Sequence, residues 1–171
     1  MNISKFKKLE NEVTIILGST QTKLTLSLTL LETIGRSLPC EWGTFWSVDS
    51  AHHELVPTIT WTASDVIAPK LEIHTKDRRL SLSEGNAGHV WRTRKPIWTT
   101  DILKDMCLPR SIDAQEAGLK GGVWFALKTD TVVYGVIEML GKHLALPTEE
   151  LLLHIESLGI QIGRKLDTQN S

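Results

Sequence analysis

The chain has 171 residues, a formal net charge of −1, 41% hydrophobic residues and 23% charged residues. This length favours a single domain, and the composition is that of an ordinary globular protein. The balanced charge argues against a nucleic-acid interface, and we find neither a signal peptide nor an apolar run of about 18 residues that could span a membrane. We therefore expect a cytoplasmic protein without nucleic-acid or membrane partners, in which Cys40 and Cys107 stay reduced.

Two amphipathic helices are predicted at the start of the chain. Apolar residues recur at helical spacing within residues 3–17, and Gly18-Ser19-Thr20 ends that pattern. The second helix carries an apolar stripe from Leu24 to Leu38 and has apolar residues on its other faces as well. We expect it to pack against a sheet and also against something else.

A β-hairpin is predicted next, from the aromatic-rich segment 41–49 and the segment 54–61. Pro57 lies inside the second strand, which predicts an edge position because proline has no N–H to donate to a neighbouring strand. Residues 64–76 are ambiguous and could form a short helix over the sheet. Residues 79–83 could add a short strand.

Residues 84–101, EGNAGHVWRTRKPIWTTD, are the most distinctive segment of the chain. Ser83 or Asn86 can cap a short helix over 87–93, because short polar side chains accept the free N–H groups of a first helical turn. Proline disfavours helical geometry in the residue before it, so Lys95-Pro96 ends that helix.

The remaining strands form one short element and a central hairpin. Residues 97–100 are β-branched and aromatic, which predicts a strand, and a helix is predicted over 111–119. Residues 121–128 and 132–140 follow as two strands that are apolar on both sides. Such strands are expected at the centre of a sheet that is covered on both faces.

A long helix is predicted from about residue 148 to 167, followed by a short disordered tail over 168–171. Gly159 and Gly163 lie four residues apart in this helix, and each glycine costs about 1 kcal/mol relative to alanine. Either another helix approaches closely at this point, or the glycines are simply tolerated.

The order of these segments resembles a GAF domain, a small-molecule-sensing module, of the kind found in bacterial sensor histidine kinases. The resemblance covers nearly all of residues 13–167. Beyond the 84–101 segment it is carried by GTFWSVD at 43–49 and AGLKGGVWFALKTDTVVYGVIEML at 117–140. It implies an N-terminal helix over 1–20 and a GAF domain over 21–167.

The fold implied by the resemblance is α+β, similar to profilin and PAS domains. A mostly antiparallel sheet of five to six strands would carry the N- and C-terminal helices on one face. Short helices and loops would cover a ligand pocket on the other face.

Several specialised members of the family are disfavoured by missing residues. The Asn-Lys…Phe…Asp-Glu signature of cyclic-nucleotide-binding GAF domains is absent. Covalent bilin attachment is not expected, because the 111–119 segment lacks cysteine and Cys107 is followed by leucine. GAF-type methionine sulfoxide reductases use three cysteines, and Cys40 and Cys107 do not supply them. Since no common catalytic or metal-ligand spacing is present either, we do not expect an enzyme.

Aromatic side chains are the candidate walls of the implied pocket. Alternation along the strands places Trp46 opposite Phe45 and Trp124 opposite Phe125, but it does not say which face carries the pocket. Flat walls suit a planar or apolar ligand, although the rings could also fill the pocket themselves. The full set of pocket candidates is Trp46, Trp61, His89, Trp91, Trp98, Arg110, Trp124 and Phe125.

Three polar side chains also have simpler interpretations. His89 lies in the helix that covers the cavity in this family and could ligate haem, but an ordinary surface residue is the favoured interpretation. Arg110 and Arg92 could bind an anion at the rim of the pocket, although a solvated arginine is expected more often.

The resemblance also implies a homodimer, since GAF modules commonly pair through their first and last helices. An exposed apolar stripe on these helices would support such pairing. We expect a sensory domain that binds a small ligand and signals through its terminal helices, either alone or as part of a larger sensor with a separate partner or output domain. A ligand-free dimerisation module is the alternative. The predicted contact residues are Leu24, Leu28, Leu31, Leu158, Ile162 and Leu166.

Overall fold

The computed structural model describes residues 3–19, 22–104 and 110–170. Its helices and strands follow one another in an α+β order, with several neighbouring elements of the same kind. They are α1 (Ile3–Gly18), α2 (Lys23–Ser37), β1 (Trp42–Asp49), β2 (Glu54–Thr62), α3 (Pro69–Lys76), α4 (Gly85–Thr93), β3 (Ile97–Thr99), α5 (Ser111–Glu116), β4 (Gly121–Lys128), β5 (Val133–Gly141) and α6 (Glu149–Asn170).

The strands form one five-stranded sheet in the order β2-β1-β5-β4-β3, and every neighbouring pair is antiparallel. Pro57 lies in the edge strand β2, as predicted, opposite Trp46 where the pairing of β1 and β2 is interrupted by a bulge. The predicted central hairpin is confirmed, because β4 and β5 pair along their length and every residue of β4 is buried. The predicted antiparallel sheet is therefore correct.

The two faces of the sheet carry different layers. We call the face covered by α1, α2 and α6 the back face; Phe45, Phe125 and Ile137 pack there against the three helices. The opposite front face is covered by α3, α4, α5 and connecting loops, and Trp46 and Trp124 lie on it. This is the layer arrangement that the sequence analysis predicted.

Most of the predicted dimer-contact residues belong to the core of the single chain. Leu31, Leu158, Ile162 and Leu166 are at most 4% exposed, because the stripes of α2 and α6 that carry them face their own sheet. Among the six predicted residues, only Leu24 and Leu28 are exposed, at 65% and 43%.

The two glycines of α6 let the helix lie directly on a strand. A Cβ atom at Gly159 would come closer than 3.0 Å to the carbonyl oxygen of Ala126, and one at Gly163 would lie 2.6 Å from the carbonyl carbon of Lys128. The prediction of a close approach was right, but the partner is the backbone of β4 and not another helix.

The predicted cap of α4 is wrong. Glu84 occupies the N-cap position, whereas Asn86 lies inside the first turn and Ser83 precedes the helix with a φ of 74°. The Glu84 carboxylate accepts hydrogen bonds from the backbone N–H of Ser81 at 3.1 Å and from Arg78 at 2.7 Å. These bonds hold the pKa of Glu84 below its ordinary value, the Ser81 bond most strongly.

Smaller differences concern the connecting segments. The ambiguous segment 64–76 contains α3, so a short helix does form there. Residues 79–83 contribute only an isolated bridge between Leu80 and Leu55. Helix α6 continues to Asn170, beyond the predicted end at residue 167. No helix in the described part of the chain has the length and apolarity needed to cross a membrane.

Candidate functional site

The front face contains an ion pair between Arg110 and Glu138. Nη2 of Arg110 lies 2.6 and 2.7 Å from the two carboxylate oxygens, and the two side chains are only 7% and 2% exposed. Glu138 belongs to β5 at the centre of the sheet, and Arg110 is the residue that precedes α5. Removing two such charges from water costs several kcal/mol per ion, so close pairing is required for both to stay charged.

Three further side chains among the described residues contact the pair. Arg110 Nη1 donates to the hydroxyl of Thr75 at 2.6 Å, and Trp124 Nε1 donates to the Glu138 carboxylate at 2.9 Å. The Arg110 guanidinium lies over the Trp46 ring, 5.1 Å from its centroid, where the π face attracts a cation. We call Thr75, Trp46, Trp124 and Glu138 the cation box, because together they surround the guanidinium.

Two N–H groups at this place lack an acceptor within the described part of the chain. Nε1 of Trp46 and Nε of Arg110 are buried and have no hydrogen-bond partner among the described residues. A buried donor without an acceptor costs about 1–3 kcal/mol, so proteins usually avoid one unless the place has another role.

The space beside the ion pair is small. Its volume is about 10 Å³, which is room for about one water molecule. Among the described residues it is lined by Ile102, Arg110, Ser111, Ala114, Trp124, Glu138 and Leu140. A ligand of several atoms needs a pocket of about 300 Å³ or more. Such a ligand would therefore have to displace a side chain, and Arg110 fills the centre of the box.

Comparison with known proteins identifies the family. The family model of the GAF domain matches residues 21–167. The chain belongs to the GAF domain family. A search of curated proteins found no significant match.

Solved structures agree with this GAF domain in fold. The GAF domain of a phosphoenolpyruvate-protein phosphotransferase (ptsP) from Coxiella burnetii has a TM-score of 0.78 at 16% identity, and the match covers 99% of this chain and 97% of that one. The nlh2 GAF domain of A. aeolicus, in an inactive state, has a TM-score of 0.78 at 17% identity, with 97% and 98% coverage.

An enzyme is also among the similar structures. The free methionine-R-sulfoxide reductase from Neisseria meningitidis, in complex with its substrate, has a TM-score of 0.76 at 13% identity, with 99% and 94% coverage. Identity this low shows a shared fold and does not assign an activity to this GAF domain.

Cys40 is poorly placed for thiol chemistry. It is 3% exposed and belongs to the back core, on the opposite side of the sheet from the cation box. Burial, and secondarily the nearby Glu41 carboxylate, raise the pKa of the Cys40 thiol, so the thiol stays protonated and weakly nucleophilic. Cys107 lies outside the described residues. Among the described residues, no group of three or more His, Cys, Asp and Glu side chains could hold a metal ion.

The structure brings together some of the predicted pocket residues. Trp46, Trp124 and Arg110 meet at the cation box, and Arg110 is buried there rather than solvated at a rim. Trp91 is half-buried against the front core. His89 is half-buried on α4, with Nδ1 3.4 Å from Arg92, and belongs to neither core.

The other three candidates lie away from the box. Phe125 is buried in the back core, and Trp61 and Trp98 pack against that core. Trp98 Nε1 donates to the carbonyl of Ala145 at 3.0 Å. Phe125 follows Trp124 directly in β4, so the alternation of side chains along a strand already required that the two face opposite sides.

The sequence analysis missed Thr75 and Glu138. A signal for Glu138 was available, because it is the one charged residue in the apolar run VVYGVIEML. A carboxylate in a strand that is expected to be covered on both faces needs a buried partner. Nothing in the spacing of Thr75 indicated its contact with Arg110.

Proposed function

We propose that this GAF domain is a regulatory module that binds a small ligand at the cation box and transmits binding to its terminal helices. The observation that carries this proposal is the buried Arg110–Glu138 pair, together with two N–H groups at the same place that have no partner among the described residues. A buried ion pair contributes little to stability, since well-packed apolar residues often do as well or better. Binding gives a reason for keeping charges at a place where the fold does not require them.

The contact between β4 and α6 offers a route from the box to a terminal helix. Trp124 faces the box, and the backbone of β4 a few residues further on lies against Gly159 and Gly163 of α6. A shift of β4 therefore has to move α6 or open a gap beneath it. A ligand can bias two such arrangements only if it binds them with different affinities.

Self-association would use the outer surface of α2 in this proposal. Leu24 and Leu28 lie four residues apart, on one side of that helix, and both are exposed. In a homodimer this surface would receive the same surface of a second copy. Movement of the helices could then be passed to a signalling partner or to an output domain.

The experiment is a ligand screen on the purified protein, followed by hydrogen exchange. Trp46 and Trp124 line the box, so a bound ligand should change tryptophan emission and raise the melting temperature. The Trp124→Phe variant should lose most of the emission change, whereas Trp61→Phe, which alters a back-face ring, should keep it. Binding should also change amide protection in α6. A folded protein that binds no compound in a broad metabolite library would contradict the proposal and favour a module with a closed core.

A further inference from the structure

We infer that the ligand of the cation box is a small organic cation, with an alkylguanidinium or alkylammonium group that replaces the Arg110 guanidinium on Glu138. This inference rests on the proposed function and names the chemical class of the ligand. In the structure, Arg110 acts as an internal substitute for that ligand.

The chemistry of the box favours a cation. Around the guanidinium it presents a carboxylate from Glu138, a hydroxyl acceptor from Thr75 and the π face of Trp46. Each of these groups attracts a positively charged N–H donor. Trp124 donates to the carboxylate and so keeps one of its oxygens in place.

The carboxylate is the fixed half of the ion pair. Glu138 belongs to β5, which is hydrogen-bonded to β1 on one side and to β4 on the other. Arg110 lies outside the sheet, before the six-residue helix α5, and its side chain makes no capping hydrogen bond to that helix. Displacement of Arg110, backbone included, therefore disturbs no strand pairing, whereas a shift of the Glu138 backbone would.

An anionic ligand is disfavoured by the same geometry. An anion that accepted from Arg110 Nε or Trp46 Nε1 would lie beside the Glu138 carboxylate, which is 2% exposed. An anion that took Arg110 from Glu138 would leave that carboxylate without its charge partner. Leaving a buried charge unpaired is strongly unfavourable. An incoming cation avoids this, because the number of buried charges stays the same when one cation replaces another.

The test opens the box by removing the internal cation. In Arg110→Ala, we expect ethylguanidinium at millimolar concentration to raise the melting temperature, and ethylammonium to do so more weakly, since it has no planar fork to match the carboxylate. Ethylurea has nearly the same shape without the charge, and we expect its affinity to be lower by about tenfold or more. The matched control is Arg110→Ala/Glu138→Gln, which leaves the same space without the carboxylate charge. This variant should not distinguish ethylguanidinium from ethylurea.

A folding defect in Arg110→Ala does not prevent the test. If the variant is unfolded after purification, its refolding yield is measured with each compound, and ethylguanidinium should restore more folded protein than ethylurea does. Equal effects of ethylguanidinium and ethylurea, or an equal response of the Glu138→Gln control, would overturn the inference.

The screen on the wild-type protein separates this inference from the proposed function. Cationic compounds that bind with a change in tryptophan emission support both. Binding confined to carboxylates or neutral compounds overturns the cation inference and leaves the regulatory function standing. Rescue of Arg110→Ala by ethylguanidinium, together with a wild-type protein that binds nothing, shows only that the box accepts a cation when Arg110 is absent, and it contradicts both the proposed function and the inference.

Discussion

Alanine at Gly163 should destabilise the domain, although alanine is the better helix former. Helix propensity alone would stabilise α6 by about 1 kcal/mol. The added Cβ atom, however, would lie 2.6 Å from the carbonyl carbon of Lys128, and even closer to its backbone nitrogen and oxygen. These are backbone atoms at the end of a paired strand, so they cannot rotate away as a flexible side chain could. The helix itself would have to move.

The size of the effect follows from that movement. Ordinary contact begins at 3.4 Å, so α6 would have to retreat by about 1 Å. Its buried residues Ile155, Leu158 and Ile162 would then pack less closely on the sheet. Overpacking of this kind costs about 1–3 kcal/mol. Helix propensity offsets about 1 kcal/mol of this cost, so the net loss is up to about 2 kcal/mol. For a chain of this length, we expect the melting temperature to fall by up to about 8 °C.

Thermal unfolding followed by circular dichroism measures the effect. Gly159→Ala should behave in the same way, because its Cβ would meet the carbonyl oxygen of Ala126. Gly18→Ala is the matched control, since Gly18 is also helical but no atom of the described residues lies within 4 Å of the added Cβ. The melting temperature of this variant should stay unchanged or rise slightly. A Gly163→Ala variant at least as stable as the wild type would show that α6 does not lie on β4 as described.

Three further predictions concern the core, the thiol and the start of α4. Leu158→Ala should lower the free energy of unfolding by about 2–5 kcal/mol, because Leu158 is buried in the core. Leu24→Ala should change the free energy of unfolding by less than about 0.5 kcal/mol but should weaken self-association in sedimentation experiments. In a Cys107→Ser background, an aromatic disulfide reagent at pH 8 should modify Cys40 only after denaturant is added, because burial raises the pKa of its thiol; rapid modification of the folded protein would refute this. Glu84→Gln should lower the melting temperature at pH 7. Folding lowers the pKa of Glu84 from its ordinary value of 4.5. The difference in melting temperature between this variant and the wild type should therefore be largest above pH 4.5 and should disappear as the pH falls through the lowered pKa.

The sheet could be predicted from sequence because its strands carry strong local signals. Pro57 limits its strand to an edge, and the apolar runs of β4 and β5 require a central place. The start of α4 could not be predicted in this way. Glu84 takes the N-cap position although it makes no capping bond, and it is tied instead to Ser81 and Arg78. Contacts outside the helix set that boundary, and cap preferences do not include them.

Partners in space were harder to predict than the elements themselves. The spacing of Gly159 and Gly163 indicates a close approach, but a helix face marked by glycines can receive a strand as well as another helix. Likewise, an apolar stripe on α6 is equally consistent with burial within one chain and with burial between two copies. Only the placement of the sheet distinguishes these possibilities.

The candidate site shows the same limit more clearly. Alternation correctly placed Trp46 opposite Phe45 and Trp124 opposite Phe125, but it did not say which face carries the pocket, and Phe125 was therefore wrongly kept among the pocket candidates. A lone carboxylate within the apolar β5 strand already required a buried positive partner. That partner is Arg110, which is 28 residues away in the chain and belongs to a different kind of element, so no periodicity connects the two. The charge that has to be neutralised can be read from the sequence, but the group that neutralises it cannot. In the proposed cation box, the group that neutralises Glu138 can be exchanged. Glu138 stays fixed in the sheet, while either Arg110 or a ligand supplies the positive charge.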